Sequence, residues 1–171
     1  MTAPRAFTQE QYELIKATTK YDPETGTFQR LDGRTSEWRE LNLKPSSNGY
    51  LQIGYYFGNR QTMVLGHRVA YLLMTGELDF PTLDHINGDR LDTRWTNLRT
   101  ATIAQNHGNM RRLGVDYHKH TKKWRARMKI NNRTKHLGLY ETKEEAIEAY
   151  RKAHAERHKE FSPYYQELLA A

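Results

Sequence analysis

Four residues near the middle of the chain combine the side-chain types that phosphodiester hydrolysis requires. In chain order they are Asp84, His85, Asn97 and Asn106. The two asparagines follow the histidine by 12 and 21 positions. Hydrolysis of a phosphodiester needs a base to activate water, a group to orient that base, and a cation on the leaving oxygen. A histidine, an amide and a carboxylate could supply these three functions, and the spaced set is far more specific than an Asp-His pair alone.

The segment around these residues resembles a known family of nucleases. Residues 83–99 read Leu-Asp-His-Ile-Asn-Gly-Asp-Arg-Leu-Asp-Thr-Arg-Trp-Thr-Asn-Leu-Arg. This segment, with its spacing, resembles the core of the HNH endonucleases (the ββα-metal nucleases), in the branch whose last motif residue is asparagine. The resemblance implies that Asp84 and Asn106 bind one divalent cation, Mg²⁺ or Mn²⁺, through oxygen. It also implies that His85 is the general base and that the amide oxygen of Asn97 orients its ring.

The residues around the motif predict two strands joined by a wide loop. Residues 83–86 suit a strand, and Asn87-Gly88 is a strong turn signal. A returning strand would bring Asn97 opposite His85. Successive strand residues face opposite sides, so Asp84 and His85 can share a site only if the strand is twisted or distorted there. Asn87, Asp89 and Asp92 are most simply turn residues. The arginines of this segment, Arg90, Arg94 and Arg99, either contact the phosphate backbone or are solvated.

A helix is predicted after the second strand, and it decides between two candidates for the last cation ligand. A helix that runs to Met110 places Asn106 about one turn from its start. Many HNH endonucleases end the motif in histidine, and His107 is the neighbouring residue. Because His107 follows Ile103 by four positions, it falls on the packing face of the helix. The sequence therefore favours Asn106.

Further elements are predicted before the motif. They are a short helix capped by Thr8 and Gln11, a turn and strand over residues 21–28, a hairpin over residues 50–65, and a helix from His67 to Gly76. His67 could contact a phosphate or pack as a structural histidine, and the second interpretation is favoured.

The positive charge of the chain is concentrated after the motif. Residues 111–136 contain ten Lys or Arg against one acid, Asp116, which gives +9 for this segment. The whole chain carries +7, so the remaining residues sum to −2. The segment also contains the alternating run Trp-Arg-Ala-Arg-Met-Lys-Ile at residues 124–130. As a strand, this run would place Arg125, Arg127 and Lys129 in one cationic row and its apolar residues on the opposite face.

Two further strands and a helix are predicted around this run. The strands cover residues 114–119 and 134–140, and Thr142 with Glu145 forms a capping-box signature for a helix to about Glu160. These residues resemble the plant ethylene-responsive-factor (APETALA-type) DNA-binding domain over about residues 112–161. The matching motifs are Gly114-Val115, Trp124-Arg125-Ala126-Arg127, His136-Leu137-Gly138-Leu139-Tyr140, Glu144-Glu145-Ala146 and Ala149-Tyr150.

The resemblance to the plant domain implies that the sheet enters the DNA major groove. The groove-facing positions would be Asp116, His118, His120, Arg125, Arg127, Lys129, Thr134 and His136. The chain departs from the plant pattern at Asp116, His118 and His120, where the plant domains tend to carry arginine or tryptophan. This departure puts the plant target sequence in doubt but leaves the docking face as predicted.

Composition agrees with a nucleic-acid partner. The isoelectric point is about 9.6, which suggests a polyanionic partner. The chain has no cysteine, which excludes disulfides and thiolate zinc sites. No apolar run reaches membrane-spanning length, and the first residues lack a signal-peptide core. We therefore expect a cytoplasmic protein, favoured as a monomer, whose partner is double-stranded DNA rather than a membrane.

Together these features predict an α+β chain with two domains. Residues 1–110 would hold β-hairpins and the ββα-metal core, and residues 111–171 a three-stranded antiparallel sheet packed on one helix. The joined resemblance is typical of phage-borne homing endonucleases and implies metal-dependent cleavage at a preferred DNA site in a bacterial host. The alternative is a non-catalytic, sequence-specific DNA-binding regulator with a decayed nuclease core. An RNA-binding module is a third interpretation, supported only by the basic sheet.

Overall fold

The computed structural model describes residues 6–109, 113–131 and 133–170, except for the side chains of Ile103 and His107. The chain divides into two compact units, Met1–Ile103 and Ala104–Ala171. The sequence placed the boundary after Met110, and since residues 110–112 lie outside the described ranges, that boundary stays a prediction. None of the helices in the described ranges is long and apolar enough to cross a membrane.

The first unit is built from small antiparallel sheets and two helices. In chain order its elements are α1 (Gln9–Thr18), β1 (Thr19–Tyr21), β2 (Phe28–Leu31), β3 (Trp38–Glu40), β4 (Gln52–Phe57), β5 (Arg60–Leu65), α2 (Gly66–Thr75), β6 (Thr82–His85) and β7 (Leu98–Ala101). β1, β2 and β3 form a three-stranded sheet, while β4 pairs with β5 and β6 pairs with β7. A short helix, α3 (Ile103–Gly108), follows β7 and begins at the division between the units.

Local sequence signals fix the ends of the helices. The Thr8 side chain accepts from the Gln11 N–H, and the Gln11 side chain accepts from the Thr8 N–H, which caps α1 as predicted. Gly76 ends α2 in the left-handed conformation, with φ 71°, and donates its N–H to the Leu72 carbonyl.

One hydrophobic core connects the elements of the first unit. Side chains from α1, β2, β4 and α2 are fully buried in it, and they include Ile15, Phe28, Ile53, Val69 and Leu72. Leu83 of β6 and Leu98 of β7 join the same cluster. The hairpin that carries the motif is therefore anchored on both strands to the core of its unit.

The second unit packs one antiparallel sheet against one long helix. Its elements after α3 are β8 (Val115–His118), β9 (Lys123–Ile130), β10 (Arg133–Tyr140), α4 (Lys143–His158) and α5 (Tyr165–Leu169). β9 lies between β10 and β8, with a bulge in β10 between His136 and Gly138. The core joins Ala126 and Met128 of β9 to Ala146 and Tyr150 of α4. The Thr142–Glu145 capping box begins α4 as predicted.

The α+β fold class is confirmed, with two differences from the sequence prediction. β3 pairs with β2 to make a three-stranded sheet where the sequence indicated hairpins alone. The run Trp38-Arg39-Glu40 has only three residues and no hydrophobic alternation, so its sequence carries no strand signal. α5 was also not predicted, since its five residues are too few for a helical periodicity to be recognised.

Candidate functional site

The motif residues Asp84 and His85 lie on β6, against its partner β7. Asp84 is the Cα partner of Arg99, and His85 is the partner of Leu98. Both motif side chains are buried, with 4% of each exposed. Asn97 precedes β7 and accepts the Ile86 N–H at 2.9 Å, so it lies one residue before the position opposite His85 that the sequence predicted. Asn97 lies outside the strand because residues Trp95–Asn97 form a 3₁₀ turn, and β7 begins only at Leu98.

Asn97 fixes the loop between β6 and β7, residues 86–96, here called the motif loop. Its amide oxygen accepts the Asn87 N–H at 3.0 Å, and its amide nitrogen donates to the Asp92 carbonyl at 2.8 Å. One side chain thus connects the beginning of the loop, at Asn87, to its second half, at Asp92. The orientation of the His85 ring by Asn97 stays a prediction, and the amide oxygen can accept a second hydrogen bond for that role.

The polar residues of the motif loop act as turn residues. Side-chain oxygens of Asn87, Asp89 and Asp92 each accept the N–H two residues later. A side-chain hydrogen bond from Arg94 is the main reason that the pKa of Asp92 is lowered to about 2. Arg94 is therefore engaged within the loop.

A turn from the start of the chain supports the motif loop. This N-terminal turn, residues 22–27, follows β1. Thr93 donates its hydroxyl to the Gly26 carbonyl at 2.7 Å, and the Trp95 N–H donates to the Pro23 carbonyl at 2.9 Å. The Tyr21 hydroxyl, just before the turn, donates to the Thr93 carbonyl at 2.6 Å. Both segments belong to the first unit, and their backbones hold each other in place.

His85 lies in a cluster of three rings with Tyr50 and His67. The ring of His67 meets it edge-on at 5.0 Å between centroids, and Tyr50 is 5.9 Å from it. Tyr50 and His67 are themselves 5.3 Å apart. Burial lowers the pKa of His85 below the ordinary histidine value, although Asp84 opposes this shift. The imidazole is therefore neutral at neutral pH, which is the form that a general base requires.

Little in the sequence indicated that His67 and Tyr50 lie beside His85. His67 is 6% exposed, and burial is the main cause that lowers its pKa to about 3. This agrees with the structural interpretation of His67. Tyr50 precedes β4 outside any motif, so no local signal marks it. Arg90 covers its ring at 4.8 Å and donates to the Asn48 carbonyl at 2.9 Å.

Asp84 forms an ion pair with Arg99 inside the hairpin. The Asp84 Oδ2 atom accepts from Arg99 Nε at 3.0 Å and from Nη2 at 2.8 Å. The arginine side chain is 17% exposed, so the pair is largely shielded from water. Arg99 therefore pairs with the motif carboxylate. The sequence had predicted that Arg99 either contacts phosphate or is solvated, and it did not predict this ion pair. In the contacts that the structure describes, Asp84 meets Arg99, whereas His85 meets Tyr50 and His67; the strand distortion that would let Asp84 and His85 share a site stays a prediction.

The donor chemistry of the motif fits a hard cation. Mg²⁺ is commonly held by one or two carboxylates together with water and phosphate oxygens, and Asp84 offers a buried carboxylate. The described residues contain no group of three or more His, Asp or Glu side chains that could hold a metal by themselves. Asn106 lies on α3 in the second unit, so its place beside Asp84 stays a prediction. The competing candidate, His107, has its side chain outside the described part of the structure.

The second unit presents a polar sheet face, here called the basic face. Alternation along β9 buries Ala126 and Met128 against α4 and places Arg125, Arg127 and Lys129 on the other side. The pairing register sets residues of the neighbouring strands beside them; these are Asp116 and His118 on β8 and Thr134 and His136 on β10. His120 lies in the turn between β8 and β9. The geometry thus groups the predicted DNA-contacting residues, and their contact with DNA stays a prediction.

Asp116 interrupts the positive charge of the basic face. Its carboxylate contacts Arg125 through Oδ2 and Nη2 at 2.7 Å, and Arg127 through Oδ1 and Nε at 3.2 Å. Hydrogen bonding from Arg125 is the first cause that lowers the pKa of Asp116. The sequence predicted a groove-facing position for this aspartate and marked it as a departure from the plant pattern, but its ion pairs were not predicted because they depend on the register of β8 against β9.

Comparison with known proteins gives a family match for the segment that contains the motif. No curated protein matches the chain. A solved structure described as "DNA binding and cleavage by the HNH homing endonuclease I-HmuI" is 22% identical, with a TM-score of 0.44. The match covers 54% of this chain and 51% of that one, so the chain spans about half of that protein. Residues 64–107, which include α2, β6, the motif loop, β7 and most of α3, match the model of the HNH endonuclease family.

Proposed function

We propose that the protein is a DNA endonuclease that hydrolyses phosphodiester bonds with His85 as its general base. The observation that carries the proposal is the position of His85 within the HNH segment. It ends β6 as a buried imidazole whose pKa is lowered by burial, beside a loop fixed by Asn97. A neutral imidazole nitrogen accepts the proton of the attacking water, and the amide oxygen of Asn97 orients the ring.

Asp84 and Asn106 would hold the divalent cation, Mg²⁺ or Mn²⁺. Such a cation, when bound, stabilises the negative charge that develops on the leaving oxygen. The contribution of the protein is to hold the Asp84 carboxylate in one orientation, which the two hydrogen bonds from Arg99 do. The hard oxygen donors of the pair favour these cations over zinc.

The basic face of the second unit would select the DNA site. It offers a row of arginine and lysine side chains on a sheet whose other face is packed against α4. The family resemblance of residues 112–161 supports major-groove reading by this sheet. A nuclease domain joined to such a reader supports a homing-type enzyme that cuts at a preferred site.

A cleavage assay tests the proposal directly. The full chain is incubated with phage genomic DNA and with supercoiled plasmid, in Mg²⁺, Mn²⁺, a zinc-selective chelator, or EDTA. We expect cleavage with either cation, no loss with the zinc chelator, and no cleavage in EDTA. His85→Ala should lower the cleavage rate by about a hundred- to ten-thousand-fold and leave DNA binding nearly unchanged. Wild-type rates in His85→Ala, or full activity in EDTA, would contradict the assignment.

A non-catalytic DNA-binding regulator is the second candidate function. The ion pair between Asp84 and Arg99 favours it, since an arginine already balances the charge of the proposed cation ligand. The same assay separates the two functions. Sequence-selective binding without cleavage in either cation, for the wild-type chain, would identify a regulator.

A further inference from the structure

Asp116 is the single acid in residues 111–136, and it contacts two arginines of β9, the central strand of the sheet. Asp116 on β8 is the Cα partner of Arg125, and Arg127 is the next residue of β9 on the same face. The Asp116 carboxylate contacts both arginines: Oδ2 lies 2.7 Å from Arg125 Nη2, and Oδ1 lies 3.2 Å from Arg127 Nε and 3.4 Å from Arg125 Nε. One carboxylate thus orients two guanidinium groups.

Stability alone does not account for this arrangement. Arg125 and Asp116 are 28% and 36% exposed, and Arg127 is 48% exposed. Ion pairs at that exposure are screened by water and contribute little to folding. The packing of the unit depends instead on the opposite sheet face, where Ala126 and Met128 meet α4.

The contacts leave the two arginines with different hydrogen-bonding capacity. Asp116 engages Arg125 through both Nε and Nη2. It engages Arg127 through Nε, which leaves both terminal nitrogens of that guanidinium for another partner. Two parallel N–H groups match the O6 and N7 acceptors of guanine in the major groove. The contact with Asp116 restricts the Arg127 side chain in the free protein, so less ordering entropy is lost on contact with a base.

The same carboxylate weakens attraction to the DNA backbone. Phosphate contacts supply affinity without sequence information, and a negative charge among the arginines opposes them. From this geometry we propose that Asp116 is a specificity-determining positioning residue. It holds the Arg127 guanidinium in the orientation that contacts guanine, and its hydrogen bonds with Arg125 fix the carboxylate itself. Its negative charge lowers the affinity for DNA of any sequence. This inference rests on the proposed reading of DNA by the basic face.

Asp116→Asn tests the inference in the full chain, because it removes the charge with little change of shape. Duplexes with a random core are first selected for binding to the wild-type chain in EDTA. Binding of the selected duplexes and of the unselected pool is then measured over a range of salt concentrations. We expect Asp116→Asn to bind the unselected pool more tightly and with a steeper salt dependence. The ratio of selected to unselected affinity should fall about fivefold, the lower end of the discrimination by one bidentate arginine.

Glu148→Gln is the matched control, since Glu148 is exposed on α4 and its substitution changes the charge equally. It should leave the selected-to-unselected ratio at the wild-type value. If Asp116→Asn raises both affinities by one factor, Asp116 only repels phosphate and the inference is overturned. A different result would be that the wild-type chain selects no sequence and that Arg127→Ala binds DNA as the wild-type chain does. This result would overturn the proposed reading of DNA by the basic face, and the role of Asp116 with it. Circular dichroism confirms that each variant is folded.

Discussion

At the scale of single residues, burial sets the charge of the histidines in the ring cluster. His67 and His85 lie edge to face at 5.0 Å, and two imidazolium ions at that distance would repel each other in a poorly solvated site. Burial, followed by the neighbouring His85, lowers the pKa of His67 to about 3. Protonation of either ring therefore costs stability, which connects the stability of the site to pH.

His67→Phe should make the stability of the first unit less sensitive to acid. Between pH 6.5 and about 3 the unfolded chain binds a proton at this histidine that the folded chain does not. Stability is thus fully present above pH 6.5 and falls as the pH decreases through this window. Removing the histidine should reduce the slope by up to about 1.4 kcal/mol per pH unit. Native-state hydrogen exchange of peptides from residues 6–103, corrected for intrinsic rates, measures it.

The control for this prediction is His120→Phe, at an exposed histidine in a turn of the second unit. It should leave the pH dependence of the first unit unchanged. A slope in His67→Phe equal to that of the wild-type chain would show that the buried histidine does not couple folding to protons.

At the scale of elements, the N-terminal turn is the support on which the motif loop depends. Gly26 adopts φ +75°, and a Cβ at this position would lie 2.7 Å from the Arg94 nitrogen and 2.9 Å from the Thr93 carbonyl carbon. Both contacts are with backbone, which cannot rotate away as a side chain can. The glycine is therefore required both by its conformation and by the close approach of the loop.

Gly26→Ala should destabilise the first unit by about 1–3 kcal/mol and lower the cleavage rate, because the motif loop must shift. Gly58→Ala is the matched control, since Gly58 also has positive φ, 60°, but no atom lies within 4 Å of its added Cβ. The control should show a smaller loss of stability and wild-type cleavage. Urea unfolding and plasmid cleavage measure both effects, and equal cleavage by the two variants would show that the turn does not position the loop.

Elements with a local signal were predicted from the sequence, whereas the side-chain contacts between elements were not. The alternation of residues 124–130 and the capping boxes at Thr8 and Thr142 each act within one segment, and they predicted β9, α1 and α4. The ion pair of Asp84 with Arg99 depends on strand register. The packing of Tyr50 on His85 depends on tertiary structure alone. The spacing of the motif identified its residues, but it could not show which neighbours set their charge and orientation.

At the scale of the whole molecule, charge and proposed chemistry belong to different parts of the chain. The HNH segment covers residues 64–107, whereas the segment with net charge +9 covers residues 111–136. Each unit has its own hydrophobic core, one around Phe28 and Leu72 and the other around Ala126 and Tyr150. Such a division suits an enzyme in which the basic face selects the DNA and the segment of residues 64–107 hydrolyses it.

Deletion of residues 114–171 should separate selection from cutting. The shortened chain keeps the motif residues, including α3 with Asn106, and loses the basic face. We expect site-specific binding to be lost, because the arginines proposed to contact base edges are removed. Unselective nicking of supercoiled plasmid in Mg²⁺ should persist at a reduced rate and should still require His85. Footprinting and a nicking assay measure the two activities, with His85→Ala in the shortened chain as the control. An unaltered footprint after the deletion would show that residues 1–113 recognise the target and that the basic face has another role.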